Sequence, residues 1–237
     1  MKRFLFMITP FLKLPFHFSE EKLLNDLEVC KNLDFISHFN KNDYSGEWTS
    51  IALRSQNGEM NNIFALSQGS ENYKNTELID KCVYFKEIIN LFECEKESIR
   101  LLNLKPGSVI KEHTDYNLGY EDGIFRIHIA ITTNKDVHFF INSEEVKMLP
   151  GESWYGNFNL PHSVRNDGKT DRIHLVMDCI RNNWSDNLFE ECGYSFDVEK
   201  EQPEYSRETK LQIIEQLKLM DTETAREMVS QLNKELQ

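Results

Sequence analysis

The sequence lacks the local signatures that mark several common classes of protein. Its five cysteines are odd in number and widely spread, and none forms a C-x-x-C pair or a metal-ligand spacing. This usage predicts reduced thiols in a cytoplasmic protein and not a disulfide scaffold. No internal repeat, P-loop, dinucleotide-binding glycine fingerprint or zinc-finger spacing is present, which argues against the functions that these motifs carry.

Positive charge is also scarce, with 27 Lys and Arg against 39 Asp and Glu and a net charge of −12. Binding to a nucleic-acid backbone relies on Lys and Arg, so a nucleic-acid partner is not expected. A small anionic ligand is still compatible with this balance, because the local placement of arginine matters more than the total charge.

Long apolar runs are missing as well. The N-terminal stretch M-K-R-F-L-F-M-I begins like a signal peptide, but Pro10, Lys13 and Pro15 interrupt it and no small-residue cleavage site follows. The stretch is too short to span a bilayer, so no membrane partner is expected. It predicts a first strand whose ends are marked by the prolines.

What the chain does contain is apolar and aromatic material for a core, with 16 Phe and 8 Tyr among 237 residues. This content makes disorder unlikely, and a chain of this length can hold one large β-centred domain, which we assign to residues 1–195. Helices are expected over Ser19–Cys30, with Ser19 as N-cap, and over Leu78–Phe92. The polar residues 55–78 read as a long loop, of the kind that often closes over a substrate.

The tail, residues 196–237, has a different character. Leu211, Ile214, Leu217 and Met220 form one apolar stripe at helical spacing, and a second stripe follows over residues 225–232. The pattern predicts a small helical segment, a hairpin that packs on the sheet or on a second subunit. A homodimer is therefore one expected assembly.

One cluster of residue types carries chemistry. His113 and Asp115 are expected on one strand, where alternation places both side chains on the same face, and His162 follows later in the chain. Two imidazoles and one carboxylate form the ligand set of non-haem Fe(II) oxygenases, although imidazole also suits zinc. H-x-D is common by chance, so a polar loop with His162 capping a turn after Pro161 is the alternative.

Cationic residues accompany this cluster. Arg172 lies ten residues past His162 in an alternating strand, and its planar fork can bind a dicarboxylate co-substrate; the alternative is a solvated cation. Arg126 and His128 share one face of a strand and need partners if that face is buried. Arg54 ends an apolar strand and is either solvated or directed into the mouth of the site. His17 and His38 are interpreted as ordinary polar positions, and His138 as a strand residue without a chemical role.

Five segments in fixed order resemble the aspartyl/asparaginyl β-hydroxylase family, and within it the small bacterial proline-hydroxylase members. They are spread over residues 45–180 and comprise Gly46–Arg54, Pro106–Asp115, Phe125–Ile129, Leu160–Val164 and Arg172–Asp178. The animal peptide hydroxylases of the family lack the carboxylate ligand. The presence of Asp115 therefore favours the small-molecule branch.

The resemblance implies a mainly β fold with flanking helices, the double-stranded β-helix also called a jelly roll or cupin-like fold. It also implies a dioxygenase that uses Fe(II), 2-oxoglutarate and O2, with ascorbate assisting, to hydroxylate an unactivated carbon of free L-proline or a related amino acid. The implied iron ligands are His113, Asp115 and His162, and the implied co-substrate residues are Arg172, Arg126, His128 and Arg54. The alternatives are hydroxylation of Asp, Asn or another residue within a peptide, and a metal-binding β-helix without turnover.

Overall fold

The computed structural model describes residues 8–65, 69–196, 206–219 and 223–236. Backbone contacts divide the chain into two units, Met1–Phe196 and Asp197–Gln237. That residues 1–195 and 196–237 are separate domains stays a prediction. Residues 1–7, which the predicted first strand includes, and Met220 of the predicted apolar stripe lie outside the described residues.

The first unit contains thirteen strands and four α-helices among the described residues. In chain order the strands are β1 Phe11–His17, β2 Ile36–Ser37, β3 Tyr44–Ser45, β4 Trp48–Ser55, β5 Lys74–Asn75, β6 Lys96–Leu104, β7 Val109–His113, β8 Ile124–Thr132, β9 Val137–Ile141, β10 Glu144–Glu145, β11 Glu152–Gly156, β12 His162–Asn166 and β13 Arg172–Ile180. The helices are α1 Glu20–Cys30, α2 Leu78–Lys81, α3 Val83–Leu91 and α4 Asn183–Glu191, with 3-10 turns at Ser70–Asn72 and Tyr120–Asp122.

The strands form two sheets. The larger has the order β1-β11-β8-β13-β6-β4-β2, with β5 paired to β4, and the smaller has the order β10-β9-β12-β7-β3. The neighbouring strands described in each sheet pair antiparallel. Two facing antiparallel sheets with helices on one outer face are the double-stranded β-helix, so the predicted fold class is confirmed.

The two faces of the larger sheet differ in chemistry. On β8 and β13 the odd-numbered residues from Phe125 to Ile131 and from Ile173 to Cys179 belong to an apolar core shared with the helices. The even-numbered residues project the other way, where Ala130 packs with Phe139 of the smaller sheet. The alternation that the sequence predicts thus directs Arg126 and Arg172 to the interior between the sheets.

The helices follow the sequence with one correction. Ser19 caps α1, and its Oγ accepts a hydrogen bond from the backbone N–H of Lys22 at 3.4 Å. The single helix predicted over Leu78–Phe92 is wrong, because Cys82 has φ −104° and ψ 80° and separates α2 from α3. Its thiol is buried 3.7 Å from that of Cys30, so packing against α1 accompanies the break.

Two further expectations concern irregular segments. Pro10 precedes β1 as predicted, but Pro15 lies inside the strand, where the pairing with β11 is irregular between Lys13 and His17. Because β1 is an edge strand, it tolerates a residue without an N–H. The polar segment 55–78 contains β5 and a 3-10 turn, and its role as a closing loop stays a prediction.

Among its described residues, the second unit contains two helices, α5 Arg207–Leu219 and α6 Glu223–Glu235. They pack against each other and bury Ile214 and Ala225, in line with the apolar stripes. Homodimer formation stays a prediction. Within the described parts of the chain, no helix combines the length and the apolar character needed to cross a membrane.

Candidate active site

Two neighbouring strands of the smaller sheet bring the predicted metal ligands together. β7 ends at His113 and β12 begins at His162, and the two residues lie directly opposite each other in the register, with ring centroids 4.2 Å apart. Asp115 lies two residues beyond the end of β7, where its N–H donates to the carbonyl of Phe158 at 2.9 Å. The placement of Asp115 within the strand was therefore wrong, and backbone pairing outside the strand positions it instead.

The three side chains nevertheless form one cluster. Ligand atoms of His113, Asp115 and His162 all lie within 4.8 Å of one another. The alternative reading, a polar loop with a turn-capping histidine, does not describe this arrangement. Both histidines of the cluster are instead register partners on paired strands.

Each imidazole is oriented by its own backbone. The Nδ1 of His113 lies 2.8 Å from the carbonyl of Lys111, and that of His162 lies 3.0 Å from the carbonyl of Leu160. A carbonyl only accepts, so Nδ1 carries the proton in both rings and Nε2 presents a lone pair to a metal. Burial lowers the pKa of His162 to about 4, which keeps this ring neutral.

The carboxylate of the cluster is held ionised. Burial by itself would raise the pKa of Asp115, but the guanidinium of Arg126 and the neighbouring histidines outweigh it and lower the pKa below its usual value. Arg126 Nη1 lies 2.7 Å from Asp115 Oδ2. Two imidazoles and one ionised carboxylate fit a divalent transition metal.

Arg126 belongs to a buried ion network. Its Nε lies 2.6 Å from Oδ1 of Asp178, on the neighbouring strand, and its Nη2 lies 3.2 Å from Oδ2. Arg100 reaches the same carboxylate at 3.3 Å. Burial acts to lower the pKa of Arg126, yet its two carboxylate partners raise it above the usual value. This guanidinium is thus neutralised by the protein.

Arg172 is in the opposite situation. It is fully buried, its guanidinium carbon lies 5.2 Å from the ring centroid of Phe139, and Nη2 lies 3.1 Å from Nδ1 of His174. No carboxylate among the described residues contacts it, and its Nε lacks a hydrogen-bond partner. Burial lowers the pKa of Arg172 to about 9, so it remains a cation at neutral pH. An unpaired buried cation fits an anionic ligand.

The tautomers of two buried histidines follow from Arg172. Since a guanidinium only donates, His174 Nδ1 must be an unprotonated acceptor. His128 Nδ1 lies 3.3 Å from the same atom and must therefore be a donor. Burial lowers the pKa of both rings well below the usual value, so both rings are neutral. The Nε2 of His128 has no hydrogen-bond partner and therefore carries an unshared lone pair.

The structure does not place Arg54 at the mouth of the site, where the sequence suggested it. Its guanidinium donates to the carbonyl of Lys96 at 3.0 Å, to Asn75 Oδ1 at 3.1 Å and to the carbonyl of Ser70 at 3.0 Å. It does not line the cavity that contains the metal ligands. These acceptors engage three of the five N–H groups of Arg54 and hold its guanidinium outside that cavity.

The cavity has a volume of about 410 Å³ and contains residues that the sequence reasoning missed. His38, interpreted as an ordinary polar position, stacks on Trp48 with centroids 3.7 Å apart, and burial lowers its pKa to about 4. No sequence pattern marks this loop residue. Arg100 also lines the cavity, and a lone arginine inside the apolar strand β6 is a signal that could have identified it.

Taken together, the jelly roll and the His-Asp-His cluster define an oxygenase-type metal site, and comparisons with known proteins agree. The family described as aspartyl/asparaginyl beta-hydroxylase matches residues 19–182. Because this match covers most of the chain, the protein belongs to that family, and the predicted family is confirmed.

One curated relative and two solved structures illustrate the similarity. The chain is 28% identical over 167 residues to the L-proline cis-4-hydroxylase of Rhizobium meliloti (strain 1021), covering 68% of this chain and 57% of the relative. It thus spans little more than half the length of that protein. A 2OG-Fe(II) oxygenase family oxidoreductase from Burkholderia pseudomallei is 13% identical with a TM-score of 0.50, covering 73% of this chain and 86% of the other. For a Pseudomonas putida prolyl-4-hydroxylase the identity is 11%, the TM-score 0.47 and the coverages 73% and 94%.

Proposed function

We propose that the protein is a dioxygenase dependent on Fe(II) and 2-oxoglutarate that hydroxylates an unactivated carbon of an amino acid, free L-proline or a close relative. The observation that carries the proposal is the pairing of a three-ligand metal cluster with a buried, unpaired Arg172 in one cavity. A metal site alone would also suit a binding module. A buried cation without a carboxylate partner adds the need for an anionic co-substrate.

In this proposal His113, Asp115 and His162 hold Fe(II), and the open positions of such a triad leave room for co-substrates. When bound, iron with 2-oxoglutarate and O2 supplies the oxidising chemistry that inserts oxygen, while the protein positions the substrate. Arg172 binds the distal carboxylate with its planar fork. The similarity to an L-proline cis-4-hydroxylase supports the choice of an amino-acid substrate.

Arg126 and His128 lie beside the metal-binding end of the cavity in this assignment. Arg126 already donates to Asp115 and Asp178, so it acts by keeping the ligand carboxylate ionised and fixed. His128 offers a lone pair at Nε2 and can accept a hydrogen bond from a bound molecule or water. The same face of β8 thus supplies one donor and one acceptor.

The test is turnover of a substrate panel. The full chain is incubated with Fe(II), ascorbate, 2-oxoglutarate and each free amino acid, and succinate and the mass gain of one oxygen are measured. We expect both products with L-proline or a related amino acid, and a loss of at least about 100-fold in His113→Ala, because removal of a ligand typically disables a metal centre.

The matched control is His138→Ala, which removes a histidine from β9 that pairs with Glu145 at 2.7 Å and does not line the cavity. This variant should retain full turnover. Equal turnover in His113→Ala and the unmodified chain would overturn the ligand assignment. Absence of 2-oxoglutarate consumption with every substrate would instead favour a binding module.

A residue within a peptide is the second candidate substrate, and one feature of the cavity favours it. Phe39 and Tyr116 line the cavity with 55% and 79% of their surfaces exposed, and Phe64, 46% exposed, lies 4.8 Å from Phe39 between ring centroids. Exposed aromatic side chains around an opening are typical of a protein-binding rim. Success with peptides and failure with free amino acids would favour this candidate.

A further inference from the structure

A second cavity of about 350 Å³ adjoins the first, and no role is assigned to it above. Arg172 and Phe139 line both cavities, so the stacked guanidinium and ring form the partition between them. His174 lines only the second cavity, whereas His128 lines only the first. The hydrogen-bonded contact between these two rings therefore crosses the partition.

The charged groups of the second cavity are all cationic. Lys135 and Lys147 line it together with Arg172, and none of the described residues that line it carries a carboxylate. His174 adds a donor, because its Nδ1 is committed as an acceptor and its remaining N–H has no partner among the described residues. The donors of Arg172 and His174 and the positive charges of Lys135 and Lys147 therefore surround the same cavity. Together they provide an environment for an anion.

The remaining walls are largely apolar. They are formed by Val137, Phe139, Val146, Met148, Leu149 and Pro150. A cavity of this volume with apolar walls and a few convergent polar groups has the usual composition of a small-molecule site. The geometry points to a second ligand site behind Arg172 that takes a monocarboxylate with a short apolar chain.

Occupation of this site should affect the first cavity. Arg172 lines both cavities, and a carboxylate in the second cavity competes for the orientation and charge of its guanidinium. Each ligand therefore weakens binding of the other, and by linkage the factor is the same in both directions. This coupling, unlike the second site itself, rests on the proposed role of Arg172.

The site is tested with hexanoate as probe, and hexylamine and hexanol as charge controls, by titration calorimetry on the full chain. Leu149 lies on the wall with 58% of its surface exposed, so substitution there spares the core. Leu149→Asp places a like charge beside the carboxylate, and Leu149→Asn has the same shape without the charge. We expect hexanoate to bind the unmodified chain, with Kd about fivefold higher in Leu149→Asp than in Leu149→Asn.

A lysine pair gives an independent comparison. Lys147→Ala removes a cation that lines the cavity, and Lys31→Ala removes an exposed lysine at the C-cap of α1 that pairs with Glu28. Lys31 does not line the cavity, so only Lys147→Ala should weaken hexanoate binding, by about threefold to fivefold. Equal Kd values in Leu149→Asp and Leu149→Asn, equal effects of the two lysine variants, or equal binding of hexanoate and hexanol would each overturn the site.

The coupling is measured by titrating 2-oxoglutarate at increasing hexanoate. If two separate sites share Arg172, the apparent Kd for 2-oxoglutarate should rise with hexanoate concentration and reach a plateau. A rise without limit means that the two carboxylates occupy one site, which overturns the separate cavity. If 2-oxoglutarate fails to bind while hexanoate binds, the proposed enzymatic function is wrong and the second site stands.

Discussion

Two buried arginines lie at opposite ends of the cavity that holds the candidate metal ligands, and their charges are balanced differently. Arg126 and Arg172 project from neighbouring strands of one sheet, and both are buried. Arg126 has two carboxylate partners, Asp178 and Asp115, and its pKa is raised. Arg172 has no carboxylate partner among the described residues, and burial lowers its pKa. One charge is balanced by the protein and the other is left for a ligand.

This difference in charge balance implies that one arginine matters mainly for stability and the other mainly for binding. Removing one member of a buried ion pair leaves an uncompensated charge and is strongly destabilising, whereas replacing an unbalanced buried charge by an apolar group is neutral or stabilising. The end with Asp178 therefore contributes to folding. The end with Arg172 is kept at a cost in stability, which is typical of a binding residue.

The largest expected effect lies at the balanced end. Asp178→Asn keeps the side-chain shape but removes the charge that neutralises Arg100 and Arg126. We expect the free energy of unfolding to fall by about 3–5 kcal/mol, measured by urea denaturation. Asp167→Asn breaks an exposed pair with Arg165 and should cost less than about 1 kcal/mol. Equal losses in the two variants would remove the distinction.

An intermediate effect is expected at the unbalanced end. Arg172→Met should raise the Kd for 2-oxoglutarate by about 10- to 100-fold, since a charge-assisted hydrogen bond contributes about 1.5–3 kcal/mol. The free energy of unfolding should stay the same or increase. Arg165→Met is the control, because Arg165 is exposed and binds no cavity ligand. A destabilised Arg172→Met variant with normal 2-oxoglutarate binding would contradict the assignment.

The smallest effect is expected outside the cavity. Arg54→Ala removes three hydrogen bonds to Lys96, Asn75 and Ser70, and we expect a loss of about 1 kcal/mol in unfolding free energy. Turnover and the KM for 2-oxoglutarate should stay within about twofold, because no N–H of Arg54 reaches the cavity. A tenfold rise in that KM would restore Arg54 to the co-substrate site.

Much of this site could be predicted from local pattern. Alternation on β8 and β13 predicted which residues share a face, and the structure places Arg126 and Arg172 on the interior face. The residue types of the candidate metal cluster could be predicted because two imidazoles and one carboxylate are the ligand set of non-haem Fe(II) oxygenases. Period-2 geometry is a local property of the backbone and needs no tertiary information.

The predictions that failed share a cause, because they concern residues that are positioned by contacts with other segments of the chain. The carboxylate of Asp115 is held through a backbone contact to Phe158, outside any strand. Arg54 was a candidate for the cavity because it ends an apolar strand that resembles a pocket strand of the family, but the acceptors that bind it come from three other segments. His38 lies in a loop with no periodic pattern, and only packing on Trp48 places it on the cavity wall.

By itself the sequence indicated the strand faces and the three candidate ligand types, because alternation and residue chemistry act over a few neighbouring positions. The fold class followed from the resemblance of five segments to a known family. Only the tertiary structure decided which buried arginine is neutralised and which is not, since that depends on carboxylates contributed by other strands. It also decided that Arg172 separates two cavities. Charge balance in a protein interior is a property of contacts between distant segments.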